Sequence, residues 1–249
     1  MKVKIVVLIA FVYCITLLVK LPAAVVVEWL PKSAIKINNA TGTIWQGQAK
    51  DVVINPKIRF ENVTWDLLPL SLLTLKLEAD VAFNNGPEAM SGKGNVHYGF
   101  SGAGASNVIL DITSKQLLTL VPMRLPVSID GEFNAAIKEI SEGTPYCEQL
   151  IGNILWQDAV VGSQLGDVNL ASPSVDLGCD DGNITAFVTQ ESDELNTTLD
   201  IRLSEGGVYQ LNGEIHGTNK LAPDVANSLT WVGPKNENGA TILKFSGQL

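Results

Sequence analysis

The chain has 249 residues, 46% of them hydrophobic, and a formal net charge of −9. Such a composition supplies a sizeable core and excludes a disordered polymer. The negative balance argues against nucleic acid as a partner, because phosphate binding needs clustered Lys and Arg.

The amino terminus is the most apolar part. Met1-Lys2-Val3-Lys4 forms a short basic cap, and Ile5 to Val19 then runs without a charge. After Lys20 the apolar character resumes through Leu21, so Ile5 to Val27 makes a 23-residue span with one charge inside it. That length is enough to cross roughly 30 Å of hydrocarbon as a helix. A cleaved signal peptide has a shorter core and small residues before the cut. Cleavage after Ala23 or Ala24 would instead put Leu21 or Pro22 at the third position before it. The span therefore reads as an uncleaved membrane anchor in contact with membrane lipid. Lys20 snorkels towards the interface and Trp29 follows as an interfacial aromatic. Lys2 and Lys4 place the amino terminus in the cytoplasm by the positive-inside rule. Residues 1–30 are thus expected to be cap and anchor, and residues 31–249 an exported, extracytoplasmic domain. Cys14, inside the span, reads as a small hydrophobe.

Beyond the anchor the pattern has mostly period two. In chain order, strands are expected at Lys50 to Ile54, Leu75 to Phe83, Val96 to Phe100, Ala105 to Ile112, Ile184 to Val188, Leu195 to Leu203, Tyr209 to Ile215 and Ile242 to Leu249. Asn84-Asn85-Gly86-Pro87, Asp180-Asp181-Gly182-Asn183 and Glu205-Gly206-Gly207 supply turns between them. Helical signals are short: a turn over Leu70 to Leu75 after Pro69, a segment from Lys115 to Val121 capped by Ser114 and stopped by Pro122, and one opened by Ala222-Pro223-Asp224 and ended by Gly233-Pro234. No strand–helix–strand alternation occurs, which excludes a parallel α/β fold. The expected fold is mostly β: one transmembrane helix, then a large antiparallel, curved or sandwich-like β domain with few short helices. Thr43-Ile44-Trp45-Gln46 is echoed by Ile154-Leu155-Trp156-Gln157, which suggests either two related β layers dividing near residue 140 or two strands that each end in a buried tryptophan.

Candidate chemistry is sparse. Cys147 and Cys179 lie in the exported part, where a pair oxidises; a disulfide there would restrict the unfolded chain by roughly 3 to 4 kcal/mol. His97 and His216 fall on the polar phase of strands and read as solvated side chains. Gly99-Phe100-Ser101-Gly102-Ala103 resembles a nucleophile elbow but closes on Ala103 instead of glycine, with no helix pattern after it. Asp180-Asp181-Gly182-Asn183 lacks the spacing and closing Glu of a calcium loop. No catalytic, cofactor-binding or metal-ligating residues are assigned, and an enzyme is not expected.

Residues 41–73 are more specific. Thr41-Gly42-Thr43-Ile44-Trp45-Gln46-Gly47-Gln48-Ala49, followed by Val63-Thr64-Trp65-Asp66-Leu67-Leu68-Pro69 and Leu72-Leu73, resembles the opening of the type II secretion system protein N family. The cysteine pair and the closing Leu243-Lys244-Phe245-Ser246-Gly247-Gln248-Leu249 are similar as well. The resemblance implies a non-enzymatic inner-membrane component that supports export of folded proteins across the outer membrane, by scaffolding or adaptor contacts with other secretion subunits. Gly42, Trp45, Gly47, Trp65 and Pro69 are its motif residues, with core packing as their expected role. Trp65 with Leu67-Leu68-Pro69 also resembles the start of AsmA-like lipid-transport proteins, which implies the alternative of an anchored β-groove that carries lipid.

Overall fold

A computed structural model describes residues 2–28, 35–54, 58–120 and 127–248. Trp29 and Pro122, assigned above as an interfacial aromatic and a helix stop, and the side chain of Cys14 lie outside what is described. The chain forms two compact units, Met1–Asn85 and Gly86–Leu249. The division suggested near residue 140 falls instead inside a strand, where Ile140 pairs with Leu150.

In the first unit, α1 (Lys2–Val19) and α2 (Ala23–Val27) precede β1 (Ile35–Gly42), β2 (Gln46–Ile54) and β3 (Ile58–Leu67); a 3-10 turn (Pro69–Thr74) then leads to β4 (Leu77–Asn84). The strands form an antiparallel meander in chain order. The anchor expected over residues 5–27 is not one continuous helix, and among the described residues no helix is long and apolar enough to cross a membrane. The break has a local cause. Pro22 has no N–H to give the carbonyl four residues earlier and its ring crowds that carbonyl, so α1 ends at Val19 and Pro22 becomes the N-cap of α2. The described side chains of α1 are exposed, Leu8 and Ile9 at 61% and 62%.

Residues with left-handed backbone interrupt the strand pairing. Asn39 (φ 53°) in β1 and Asn62 (φ 50°) in β3 both lie opposite the Lys50 region of β2. Each shifts the strand's inward phase by one residue. Ile37 and Ala40 therefore share a face three positions apart, as do Phe60 and Val63, and each is paired across to β2, Ile37 with Val52 and Ala40 with Ala49. The register is the same on both sides of each position, so neither strand gains a residue there.

The second unit contains β5 (Met90–Gly99), β6 (Gly102–Thr113), α3 (Ser114–Leu120), β7 (Ser128–Glu142), β8 (Cys147–Ser163), β9 (Gly166–Ala171), β10 (Ser174–Asp180), β11 (Asn183–Glu191), β12 (Leu195–Ser204), β13 (Val208–Gly217), α4 (Pro223–Val232) and β14 (Thr241–Gln248). Every described pairing is antiparallel, and the order is β5-β6-β7-β8-β10-β11-β12-β13-β14. The long β8 pairs β10 along its first half and β9 along its second. These strands form one hydrogen-bonded ladder, not the two separate sheets of the sandwich option. Helix α3 starts where expected, but its cap is Thr113, whose hydroxyl accepts the Gln116 N–H at 3.3 Å. The buried Ser114 hydroxyl instead donates to the Gly131 carbonyl at 2.5 Å.

Candidate functional site

Two features of these units have functional weight: the junction between the apolar helix and the first ladder, and the apolar face of the second.

At the junction, the sequence motif meets the broken helix. Pro22 leaves the Leu18 carbonyl without its ordinary i+4 donor, and the Trp45 indole supplies one, Nε1 donating to Leu18 O at 2.8 Å. The Ile44 N–H donates to Leu21 O at 3.0 Å, and Pro22 forms a β-bridge with Thr43. Residues just before β2 thus bind the backbone at the end of α1 through three consecutive positions. The second tryptophan supports the first: Trp65 Nε1 donates to Thr43 O at 3.3 Å, and Trp45 O accepts the Leu67 N–H at 2.6 Å.

The glycines leave room for this arrangement. Gly42 has φ 87°, a conformation that side chains with a Cβ rarely adopt, and a Cβ there would lie 2.6 Å from Gln46 O. Gly47 lies directly opposite Trp65 in the ladder, and a Cβ on it would come within 2.5 Å of the Trp65 ring carbon Cζ2. Pro69 opens the 3-10 turn that follows β3. Gly42, Trp45, Gly47 and Trp65 therefore meet at one end of the ladder, and Pro69 lies just beyond it.

Beyond Lys50 from the junction, Asp51 is buried and receives hydrogen bonds from the Arg59 guanidinium and from Asn38 Nδ2, the latter at 2.7 Å. The Arg59 hydrogen bond, then that of Asn38, holds the Asp51 carboxyl below the usual carboxylate range.

In the second unit, one row of facing residues crosses nine strands: Gly92, Leu110, Ala135, Ile154, Val175, Val188, Leu199, Gly213 and Leu243. Every member is apolar or glycine, and apart from the buried Leu243 all are half-buried. The neighbouring row, with Asn153, Asp176, Phe187, Asp200, Asn212 and Lys244, points to the opposite, mainly polar face. This continuous apolar face was not legible strand by strand.

The remaining sequence candidates lie apart. Cys147 and Cys179 form a disulfide joining the start of β8 to the end of β10. The turn after Cys179 is a hairpin turn with Asp181 and Gly182 left-handed, and Gly182 O accepts the Tyr146 N–H at 3.0 Å. Tyr146 was missed in the sequence. Its hydroxyl donates to Ser204 O at 3.1 Å and accepts the Gly207 N–H at 2.9 Å, tying the loop before β8 to the β12–β13 turn. His97 faces Gly104 across β5 and β6, His216 is exposed on β13, and Ser101 is exposed in the β5–β6 turn. Trp156, the echo of Trp45, differs from it in setting: it lies inside β8, stacks on Phe133 at 4.8 Å and donates to Asp130 O at 2.9 Å. Among the described residues no group of three His, Cys, Asp or Glu could hold a metal ion.

An apolar helix fastened through its last turn to an antiparallel β ladder, in a chain otherwise made mostly of strands, defines a β-rich class of protein. The particular family follows from sequence comparison: the family model for type II secretion system (T2SS), protein N, matches residues 33–244, and the chain belongs to that family. A Vibrio cholerae type II secretion system protein N is 28% identical over 94% of this chain and 93% of its own length. One from Aeromonas hydrophila is 28% identical over 100% of this chain and 99% of its own length, and one from Klebsiella pneumoniae is 24% identical over 97% and 94%. No solved structure matches the chain.

Proposed function

We propose that this protein is a non-enzymatic inner-membrane component of the type II secretion system, supporting export of folded proteins from the periplasm across the outer membrane as a scaffold or adaptor. In this reading α1, with the apolar residues through Val27, is the anchor; the amino terminus is cytoplasmic and both β units are periplasmic. The carrying observation is the junction, where an apolar helix whose described side chains are exposed is bonded through Leu18, and through Leu21 just beyond its end, to the ladder. A helix so held keeps the β units close to the membrane and raises their effective concentration for partners there. Family membership supports secretion as the process.

The partner surface in this proposal is the edge of β14, paired on its other side with β13. Its first residues are covered, Ile242 N–H donating outward to Pro234 O at 2.8 Å. Strand alternation then directs the N–H groups of Lys244 and Ser246 outward too, which suits strand addition by another subunit. Ser246→Pro removes one outward donor without touching the bonds to β13. It is expected to abolish in-membrane crosslinks from this edge to secretion subunits and to lower export, while Ser246→Ala leaves both intact. Unchanged crosslinks and export in Ser246→Pro would count against the edge as the docking site.

A second reading, that the protein holds lipid, is favoured by one observation, the nine-strand apolar row with half-buried side chains. An incompletely sealed face of that extent suits an acyl chain. Native mass spectrometry of the detergent-exchanged protein distinguishes the readings: co-purifying phospholipid lost on Leu199→Asp supports lipid carriage, and a lipid-free protein leaves the scaffold reading alone.

A further inference from the structure

We propose that the 3-10 turn Pro69–Thr74, with the flanking Leu75, is a second membrane contact that seats in the lipid interface beside the end of α1. The proposal rests on the reading of α1 as a membrane anchor.

The turn presents leucines outward to an unusual degree: Leu70 is 78% exposed, Leu73 82% and Leu75 69%. Isolated exposed leucines need no explanation, but three of them on one short turn form a patch. Residues 67–75 carry no charge, and Lys76 follows immediately. The polar groups of the turn are satisfied within it. Ser71 Oγ donates to Leu68 O at 2.7 Å, Thr74 Oγ1 to Ser71 O at 2.8 Å, and the Leu75 and Lys76 N–H groups to Leu72 O and Ser71 O at 3.1 and 3.2 Å. Hydroxyls closed on their own turn do not have to keep water, so the segment loses little on entering an apolar medium.

Position selects lipid over a protein partner. Trp45 joins the two features: its indole donates to Leu18 O in the last turn of α1, and its carbonyl accepts the N–H of Leu67, two residues before the turn begins. The leucine patch therefore leaves the ladder at the same end as the exposed apolar helix, within one unit. Where α1 meets the bilayer surface, the turn is brought to that surface too. Lys76 can then keep its ammonium at the headgroups while its stem lies with the leucines. Backbone geometry also marks the site: Leu75 is left-handed at φ 58°, a conformation costly for a branched side chain, and it holds the side chain outward at the end of the turn.

The test uses the full chain in a Cys14→Ala background with the Cys147–Cys179 disulfide intact. An environment-sensitive fluorophore is placed at Leu73→Cys, at Val12→Cys in α1, or at Lys36→Cys at the opposite end of the β1–β4 ladder. Each labelled protein is reconstituted in phosphatidylcholine and phosphatidylglycerol vesicles carrying spin labels near the headgroup or near the bilayer centre. The Leu73 label is expected to lose emission with the headgroup-proximal quencher, the Val12 label with the central one, and the Lys36 label with neither. Quenching at Val12 but not at Leu73 overturns the second contact and leaves the anchor standing. Equal quenching at Leu73 and Lys36 also overturns it, because the turn then has no privileged depth. Absence of quenching at Val12 removes the anchor reading itself.

Discussion

Gly47→Ala tests whether the junction is as tightly specified as its geometry implies. A Cβ at residue 47 would meet Trp65 Cζ2 at 2.5 Å, Thr41 O at 2.6 Å and Trp65 Cε2 at 2.9 Å. Non-bonded carbons settle at about 3.5 to 4.0 Å, so strand and ring must separate by about 1 Å. The ring cannot swing away freely, because its Nε1 donates to Thr43 O, and Thr41 O is fixed backbone. Over-packing of this kind costs about 1 to 3 kcal/mol. For a chain of this size each kcal/mol lowers the melting temperature by about 2 to 4 °C, which puts the expected loss at about 2 to 12 °C. Near-UV circular dichroism on the detergent-solubilised protein follows the change at tryptophan. Trp65→Phe removes the ring atoms that clash, so the double variant should lose less than the two single losses summed. Additive losses, or a Gly47→Ala protein as stable as the parent, would refute the claim that Trp65 over Gly47 sets the junction.

Other expectations follow from the two units. Replacing both Cys147 and Cys179 by Ser opens a loop whose ends are 32 residues apart, for which the chain-entropy model gives a loss of about 3.7 kcal/mol; urea titration with and without reductant measures it, and a loss below about 1 kcal/mol would show that the bridge does not act through the unfolded chain. The Asp51 carboxyl is held below its ordinary value of 3.8, so its contribution to stability is present above that pH and is lost as the pH falls through the lower folded value. Arg59→Gln should therefore destabilise the protein at neutral pH, with the difference from the parent closing on acidification. Because the Arg59 side chain is largely exposed, the effect should be small and weakened by salt. A difference that grows towards acid pH would contradict the assignment.

The strands that could be read from sequence were those with unbroken alternation. Leu195 to Leu203 became β12, and Tyr209 to Ile215 lies inside β13, because each keeps one apolar phase from end to end. β1, β3 and β7 escaped notice for a common reason. Asn39, Asn62 and Lys138 each fall at an unpaired ladder position, and the apolar phase slips by one residue there, as between Ile137 and Ile140. Period two is then lost over the whole strand although each half obeys it. The short helices were visible because Pro69 and Pro223 open them. The motif around Trp45 was visible as a pattern. Its indole's acceptor, 27 residues earlier, was not, since nothing local links Trp45 to the Leu18 carbonyl, which lacks only the i+4 donor that Pro22 cannot give.

By itself the sequence determined the class: an apolar amino terminus, an antiparallel β-rich remainder, a cysteine pair and the motif of the protein N family. These rest on composition, alternation and residue identity, which are local properties of the chain. Tertiary structure decided the rest. Ladder register aligned single apolar residues from nine strands into one face, and the long-range bond from Trp45 to Leu18 fastened the helix and brought the leucine turn to the same end of the ladder. Register and long-range hydrogen bonds join residues far apart in the chain, so no local pattern encodes them.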